Sequence, residues 1–308
     1  MQKIFVVAIL LFALLGCEAP MEETYHQIGF ASQINRSIVE EVGDLYSEGV
    51  KLFGTATLNG DVIRLFDAEK LYYSSSMGDW EYVNTRYWVP QAEHSFWALW
   101  PYTTACTFSE KAGSVTINHT SNAKSADLLY STATRDLTNS EDYSTVPLVL
   151  HHACAALEFN VINASAKDIT SISNIYLVGL KNMGTFTFGL DGSAAWAVDS
   201  SVVEEDDYET YGGRTDLSNV PVNLNTKLSL YEGGAILVVP QEISGTDVKF
   251  HVAISGYPDK TVSLGNLGSA APSKWEAGKR YEYTLTIKEN EVVSNVKVVP
   301  WVDHYVDL

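Results

Sequence analysis

Few residues in this 308-residue chain stand where they could do chemistry. His151 and His152 are adjacent in an apolar strand, whose successive side chains point to opposite faces, so together they cannot hold one metal ion. One of them is expected to be buried and hydrogen-bonded. The run Glu204-Glu205-Asp206-Asp207 has the charge for calcium but lacks the ordered carboxylate spacing of a calcium loop, and reads as a solvated acidic loop. H-E-x-x-H, G-x-S-x-G, Walker and EF-hand patterns are absent. Among 38 acidic residues nothing selects a pair for glycoside hydrolysis. No catalytic residue, metal site or cofactor is assigned, and the chain is not expected to be an enzyme. The densest aromatic region, residues 72–102, could stack on sugars if its rings were exposed. Trp80, after the Gly78-Asp79 turn, is then the first candidate for a ligand platform. The competing reading is that these rings fill a core, where each buries a large area.

Cys17 is the one cysteine whose context implies a reaction. Lys3 is followed by the apolar run Ile4 to Leu15 and the small residue Gly16, the pattern of a signal peptide over residues 1–16. The run of about a dozen residues is too short to cross a bilayer as a helix. Leu14-Leu15-Gly16-Cys17 resembles the lipobox of bacterial lipoproteins, in which the cysteine is acylated and becomes the first residue; several acyl chains (palmitate among them) anchor a protein stably. The net charge of −18 makes nucleic acid and anionic membrane surfaces poor partners. Beyond Cys17 only Cys106 and Cys154 remain, so no disulfide framework supports the fold; they are either one bridge or two buried thiols, and no cysteine–histidine signature marks a nucleophile. The sequons at Asn35, Asn118 and Asn163 are read as chance.

The elements that must position these residues are strands. Short runs rich in Val, Ile, Thr, Tyr and Phe alternate with Gly, Asn, Asp and Ser clusters, as in Ser114–Asn118, Ala156–Ile162, Ile175–Val178, Gly184–Phe188, Ala235–Val239, Val248–Ile254 and Arg280–Ile287. Ser37–Tyr46 and Ala123–Leu129 are the best short helix candidates. The pattern predicts an all-β fold of sandwiches. A polar stretch ends near Thr145 to Pro147, which divides the chain into residues 17–146 and 147–308. Residues 202–216 read as a long loop.

The chain resembles the fimbrillin superfamily, the type V pilins and fimbrillin-like lipoproteins. The residues that carry the resemblance begin with the lipobox, the early strand Tyr25–Ile34 with Arg36, and the aromatic set Trp80, Tyr87-Trp88-Val89-Pro90 and Phe96-Trp97-Ala98-Leu99-Trp100-Pro101. They continue with Val146-Pro147-Leu148, His151 to Leu157, Ile236 to Gln241 and Trp275 to Tyr283. The resemblance implies two transthyretin-like β-sandwich domains in tandem. It also implies export to the outer membrane as a lipoprotein, cleavage by an arginine- or trypsin-type protease, loss of the first strand and assembly into a surface fimbrium by donor-strand exchange between pilin subunits. Stalk, tip and anchor subunits all fall within it. The alternative is a monomeric outer-membrane lipoprotein that binds glycans or other host or bacterial surface ligands.

On that resemblance the maturation site is Arg36, the first basic residue after Cys17, with Lys51 as the nearest alternative. The strand to be displaced is Tyr25–Ile34, whose even positions, including Ile28, Phe30 and Ile34, form a largely apolar face. Val292–Leu308 is expected to contain the donor strand. Pro300 lacks a backbone donor and should end one strand there, leaving Val302, Val306 and Leu308 on one face of the tail and Trp301 and Tyr305 on the other.

Overall fold

The computed structural model describes residues 25–34, 47–122, 124–203, 217–220, 227–231, 234–267 and 271–300. Their regular secondary structure is almost entirely β, as expected from their alternation. The first sheet has seven strands in the order β1 (Phe30–Ile34), β9 (Val146–His152), β8 (Leu129–Asp136), β5 (Glu93–Trp100), β2 (Val50–Leu58), β3 (Asp61–Ser74) and β4 (Asp79–Glu81). Asn59 and Gly60, with φ of 53° and 89°, close the β2–β3 hairpin in the left-handed conformation that suits the twist of such a turn.

Strand β5 shows why the sequence Phe96-Trp97-Ala98-Leu99-Trp100 is apolar without a break. Period two sends Phe96, Ala98 and Trp100 into one core and Trp97 and Leu99 into another on the opposite face. The second of these cores is closed by a four-stranded sheet in the order β13 (Ala194–Val198), β12 (Met183–Gly189), β7 (Ser114–Thr120), β6 (Thr107–Ser109). Its strands come from both sides of residue 147. Phe186 and Phe188 of β12 lie opposite Ile117 and Val115 of β7, and all four are buried against Trp97 and Leu99.

The chain leaves the first sheet after His152 and enters another at Ala155, so it crosses over at Ala153-Cys154, both fully buried. Beyond that point β10 (Ala155–Asn163) lies parallel to β21 (Lys279–Ile287), flanked by β22 (Val292–Pro300) on one side and by β15 (Leu228–Ser229) and β16 (Ala235–Val238) on the other. The facing sheet runs β14 (Leu217–Val220), β11 (Ile169–Val178), β18 (Lys249–Ile254), β19 (Lys260–Ser263). Phe159, Phe250 and Tyr283 stack between the two, with ring centroids 4.3 and 5.1 Å from Phe159. The short strands β17 (Gln241–Glu242) and β20 (Lys274–Trp275) pair beside them.

The helix expected at Ala123–Leu129 does not form among its described residues. Asn122 Oδ1 accepts the Lys124 amide at 2.8 Å and Asp127 Oδ1 the Leu128 amide at 2.8 Å. Such side-chain bonds compete with a helical ladder, and burial of Leu128 and Leu129 completes the bend. The other candidate, Ser37–Tyr46, lies outside the described residues, as does most of the 202–216 loop.

Candidate assembly site

Strand β1 sits at the edge of the first sheet, parallel to β9, with Phe30 opposite Val146 and Ile34 opposite Leu150. Before it the chain is not a regular strand: Gln27 makes one isolated bridge to Tyr87, and the ladder begins at Phe30. Among its described side chains, two fill the seat. Ile28 is 0% and Phe30 1% exposed. Phe30 meets Phe96, Phe66 and Tyr82 nearly edge-on, at centroid distances of 5.3, 5.6 and 6.1 Å. His26, on the same expected face, is exposed and stacks on Tyr143 at 4.2 Å.

Four hydrogen bonds position the backbone. Ile28 N donates to Arg86 O at 3.0 Å, Trp88 N to His26 O at 2.9 Å and Val146 N to Gly29 O at 2.8 Å. The Tyr82 hydroxyl donates to Ile28 O at 2.7 Å. Burial raises the Tyr82 pKa, which keeps that proton in place. Tyr82 and the segment Arg86–Trp88 had no assigned role in the sequence reading. Nothing local announces a contact between residues 54 positions apart.

Magnitudes indicate how firmly the strand is held. Burying Ile28 and Phe30 contributes about 1.5–3 kcal/mol each. Ordering the backbone costs about 1–2 kcal/mol per residue over the same short segment. Side-chain burial alone therefore does not hold the segment, and its seating also draws on the four hydrogen bonds and on the ladder to β9. An empty seat would present a row of apolar pockets beside the unpaired edge of β9, an arrangement that accepts an extended chain.

The remaining site residues fall as follows. Cys17, Arg36, Val302, Val306 and Leu308 lie outside the described residues, and of Ile34 only the backbone is described. Lys51 lies within β2, paired with Lys70 on one side and Leu99 on the other, and its ammonium donates to Thr104 O. A protease that needs an extended peptide in its cleft has no access to it there. Val292–Pro300 is β22, paired along its length with β21, so that part of the expected donor segment completes its own sheet. Trp80 is 5% exposed and packs edge-on against Tyr73 at 5.8 Å in the first core. Its ring face is therefore not offered to a sugar, a correction to the platform reading that follows from the large apolar area an indole buries. The exposed aromatic pair nearby is Tyr25 and Tyr87, 5.7 Å apart.

His151 and His152 point to opposite faces: His151 is exposed, and His152 is buried with Nδ1 2.5 Å from Asp127 Oδ2. Cys106 and Cys154 are free thiols, and burial pushes the Cys154 pKa well up, which makes it inert. Among the described residues no group of three or more His, Cys, Asp or Glu could hold a metal, and no helix is long and apolar enough to cross a membrane.

The fold and the seat describe an all-β protein with a short N-terminal edge strand paired to β9. The sequence profile of the fimbrillin-like family matches residues 46–301, and the chain belongs to that family. Its fold is similar to that of a fimbrial protein from Bacteroides vulgatus, with a TM-score of 0.62 at 15% identity, covering 89% of this chain and 99% of the other. Proposed cell adhesion proteins from Bacteroides uniformis and Bacteroides ovatus both have TM-scores of 0.58, at 14% and 18% identity, covering 90% and 91% of this chain and 99% of theirs. No curated protein matches the chain by sequence. Membership of this family supports a fimbrial role.

Proposed function

We propose that the chain is a structural or adhesive subunit of a surface fimbrium, exported as a lipoprotein anchored through Cys17 and assembled by exchange of its first strand. Cleavage after Arg36 severs the tether of β1, the strand leaves, and an extended segment of another subunit pairs with β9. The donor is the tail Trp301–Leu308, with Val302, Val306 and Leu308 on the face that enters the groove. The expected division at 146/147 would cut β9, so the two units are divided at the crossover Ala153-Cys154, with the hairpin β12–β13 reaching from the second to the first.

The observation that carries this reading is the edge position of β1, with Ile28 and Phe30 fully buried. The burial of Trp80 takes away the residue on which a glycan-binding monomer would have relied. Sequencing the amino terminus of subunits sheared from the cell surface tests the proposal. Ser37 is the expected first residue; a blocked, lipidated Cys17 in assembled material would show that the strand is kept.

A further inference from the structure

The segment that holds the N-terminal strand, itself bonded through Arg86 to Tyr82 and Leu65, is followed directly by a residue whose amide is bonded to a buried histidine. Val89 N donates to His94 Nε2 at 3.1 Å, so the neutral ring carries its proton on Nδ1, beside the carbonyls of Ala92 and Arg135. His94 is 1% exposed, packed against Trp88 at 4.8 Å and Phe96 at 6.4 Å. The residue before Val89 is Trp88, whose amide binds His26 O, and two further back is Arg86, whose carbonyl binds Ile28 N. One chain of bonds therefore runs from the imidazole to the strand.

A second proton on the ring would sit on Nε2 and meet the Val89 N–H head on, so that an acceptor becomes a donor facing a donor. The carbonyls of Ala92 and Arg135 favour that charge, but burial outweighs them, and among the described residues no anionic side chain is paired with the ring. On β8, Arg135 lies opposite His94 in register, with its guanidinium over the Trp88 ring at 6.0 Å and paired with Asp142. On β2 the neighbour is Ala56, which is uncharged. In the holding segment Arg86 is cationic, and its Nε donates to Leu65 O at 2.8 Å. Glu93 precedes His94 on β5, and period two directs it to the other face. On the N-terminal segment the titratable group is His26, stacked on Tyr143. Among the described residues no carboxylate bonds to the His94 ring.

We propose that His94 is an acid-sensitive latch on the N-terminal strand: protonation at Nε2 breaks the bond to Val89, shifts the adjoining backbone of Trp88 and so weakens the hold of Arg86–Trp88 on residues 26–28. Burial holds the His94 pKa below the ordinary histidine value, so the latch is closed at neutral pH and opens in acid surroundings. Its meaning for assembly rests on the strand-exchange reading; the latch itself does not.

The test is amide hydrogen exchange in the full, unprocessed chain at about pH 7.5 and about pH 5, corrected for the intrinsic pH dependence of exchange. Protection at the Ile28 and Trp88 amides is expected to fall about five- to tenfold in the wild type, the scale of one hydrogen bond, and to stay level in His94→Gln, whose side-chain oxygen accepts from Val89 without titrating. If the glutamine variant does not fold, the wild type decides alone, through the fall at Ile28 and Trp88 relative to distant core amides. An equal fall in the amide variant, no fall in the wild type, or a fall shared by the distant Leu177 and Phe250 amides would overturn the latch. A latch seen by exchange in a protein whose assembled form keeps its first strand would stand while the strand-exchange reading fails.

Discussion

At the scale of single residues, the account rests on Phe30, Ile28 and Tyr82. Phe30→Ala is expected to cost the unprocessed protein about 3–5 kcal/mol, because it empties a cage of three rings, whereas Tyr82→Phe removes one hydrogen bond worth about 1 kcal/mol. Melting of the unprocessed and the assembled forms separates this from an ordinary core defect. The Phe30→Ala loss should appear only in the former, since the latter no longer contains the strand. Acid should act in the same direction. Burial lowers the pKa values of His94 and His119, so the unfolded chain takes up protons first as pH falls past the ordinary value of 6.5. Stability from these groups is fully present above that value and is lost as pH falls through the lowered folded values. A thermal scan from about pH 8 to about pH 5 should show it, with a shallower decline in His94→Gln. Ile28 and Phe30 were legible because period two places them on one face. Tyr82 and His94 were not, because their partners lie on other elements and only folding brings them together.

At the scale of elements, strands were easier to read than their partners. Ser114–Asn118 and Gly184–Phe188 each show alternation, and each is a strand, β7 and β12. That these two lie side by side, one from each side of residue 147, is a long-range pairing that local periodicity does not encode. The hairpin β12–β13 has a mechanical consequence. Phe186 and Phe188 belong to the core that contains Trp97, so a defect made late in the chain should weaken the early half. Phe186→Ala is expected to destabilise by about 3–5 kcal/mol. Urea unfolding followed by tryptophan fluorescence checks it, since Trp80, Trp88, Trp97 and Trp100 all lie in the first-half cores. A variant in which that fluorescence transition is unmoved would show that the hairpin is not part of the first core. The helix expected near Ala123 failed for a readable reason: Asn122 and Asp127 are residues that bond to nearby backbone, and here they do.

At the scale of the whole molecule, the crossover at Ala153-Cys154 ties the halves together. Trp196 Nε1 donates to Ala153 O at 2.7 Å and Gly278 N to Cys154 O at 2.9 Å, both from later elements. With the hairpin shared between halves, unfolding is expected as one cooperative transition; two resolved transitions in calorimetry would mean that the halves are independent. The all-β class and the family were legible from the alternation and from the order of weak motifs along the chain. The shared sheet was not, and neither was the dependence of the first strand on a segment some 60 residues away. The strand-exchange reading calls for this combination of an interlocked body with one short edge strand.

Locking that strand tests the central claim most directly. Ala31 and Pro147 are paired in register and both exposed, so Ala31→Cys with Pro147→Cys places two thiols across the β1–β9 ladder, at a separation that a disulfide can span. After proteolysis, the oxidised protein is expected to keep β1 and remain monomeric, and reduction should release the strand and restore polymerisation. Polymerisation of the oxidised, fully cross-linked protein at the reduced protein's rate would contradict the account.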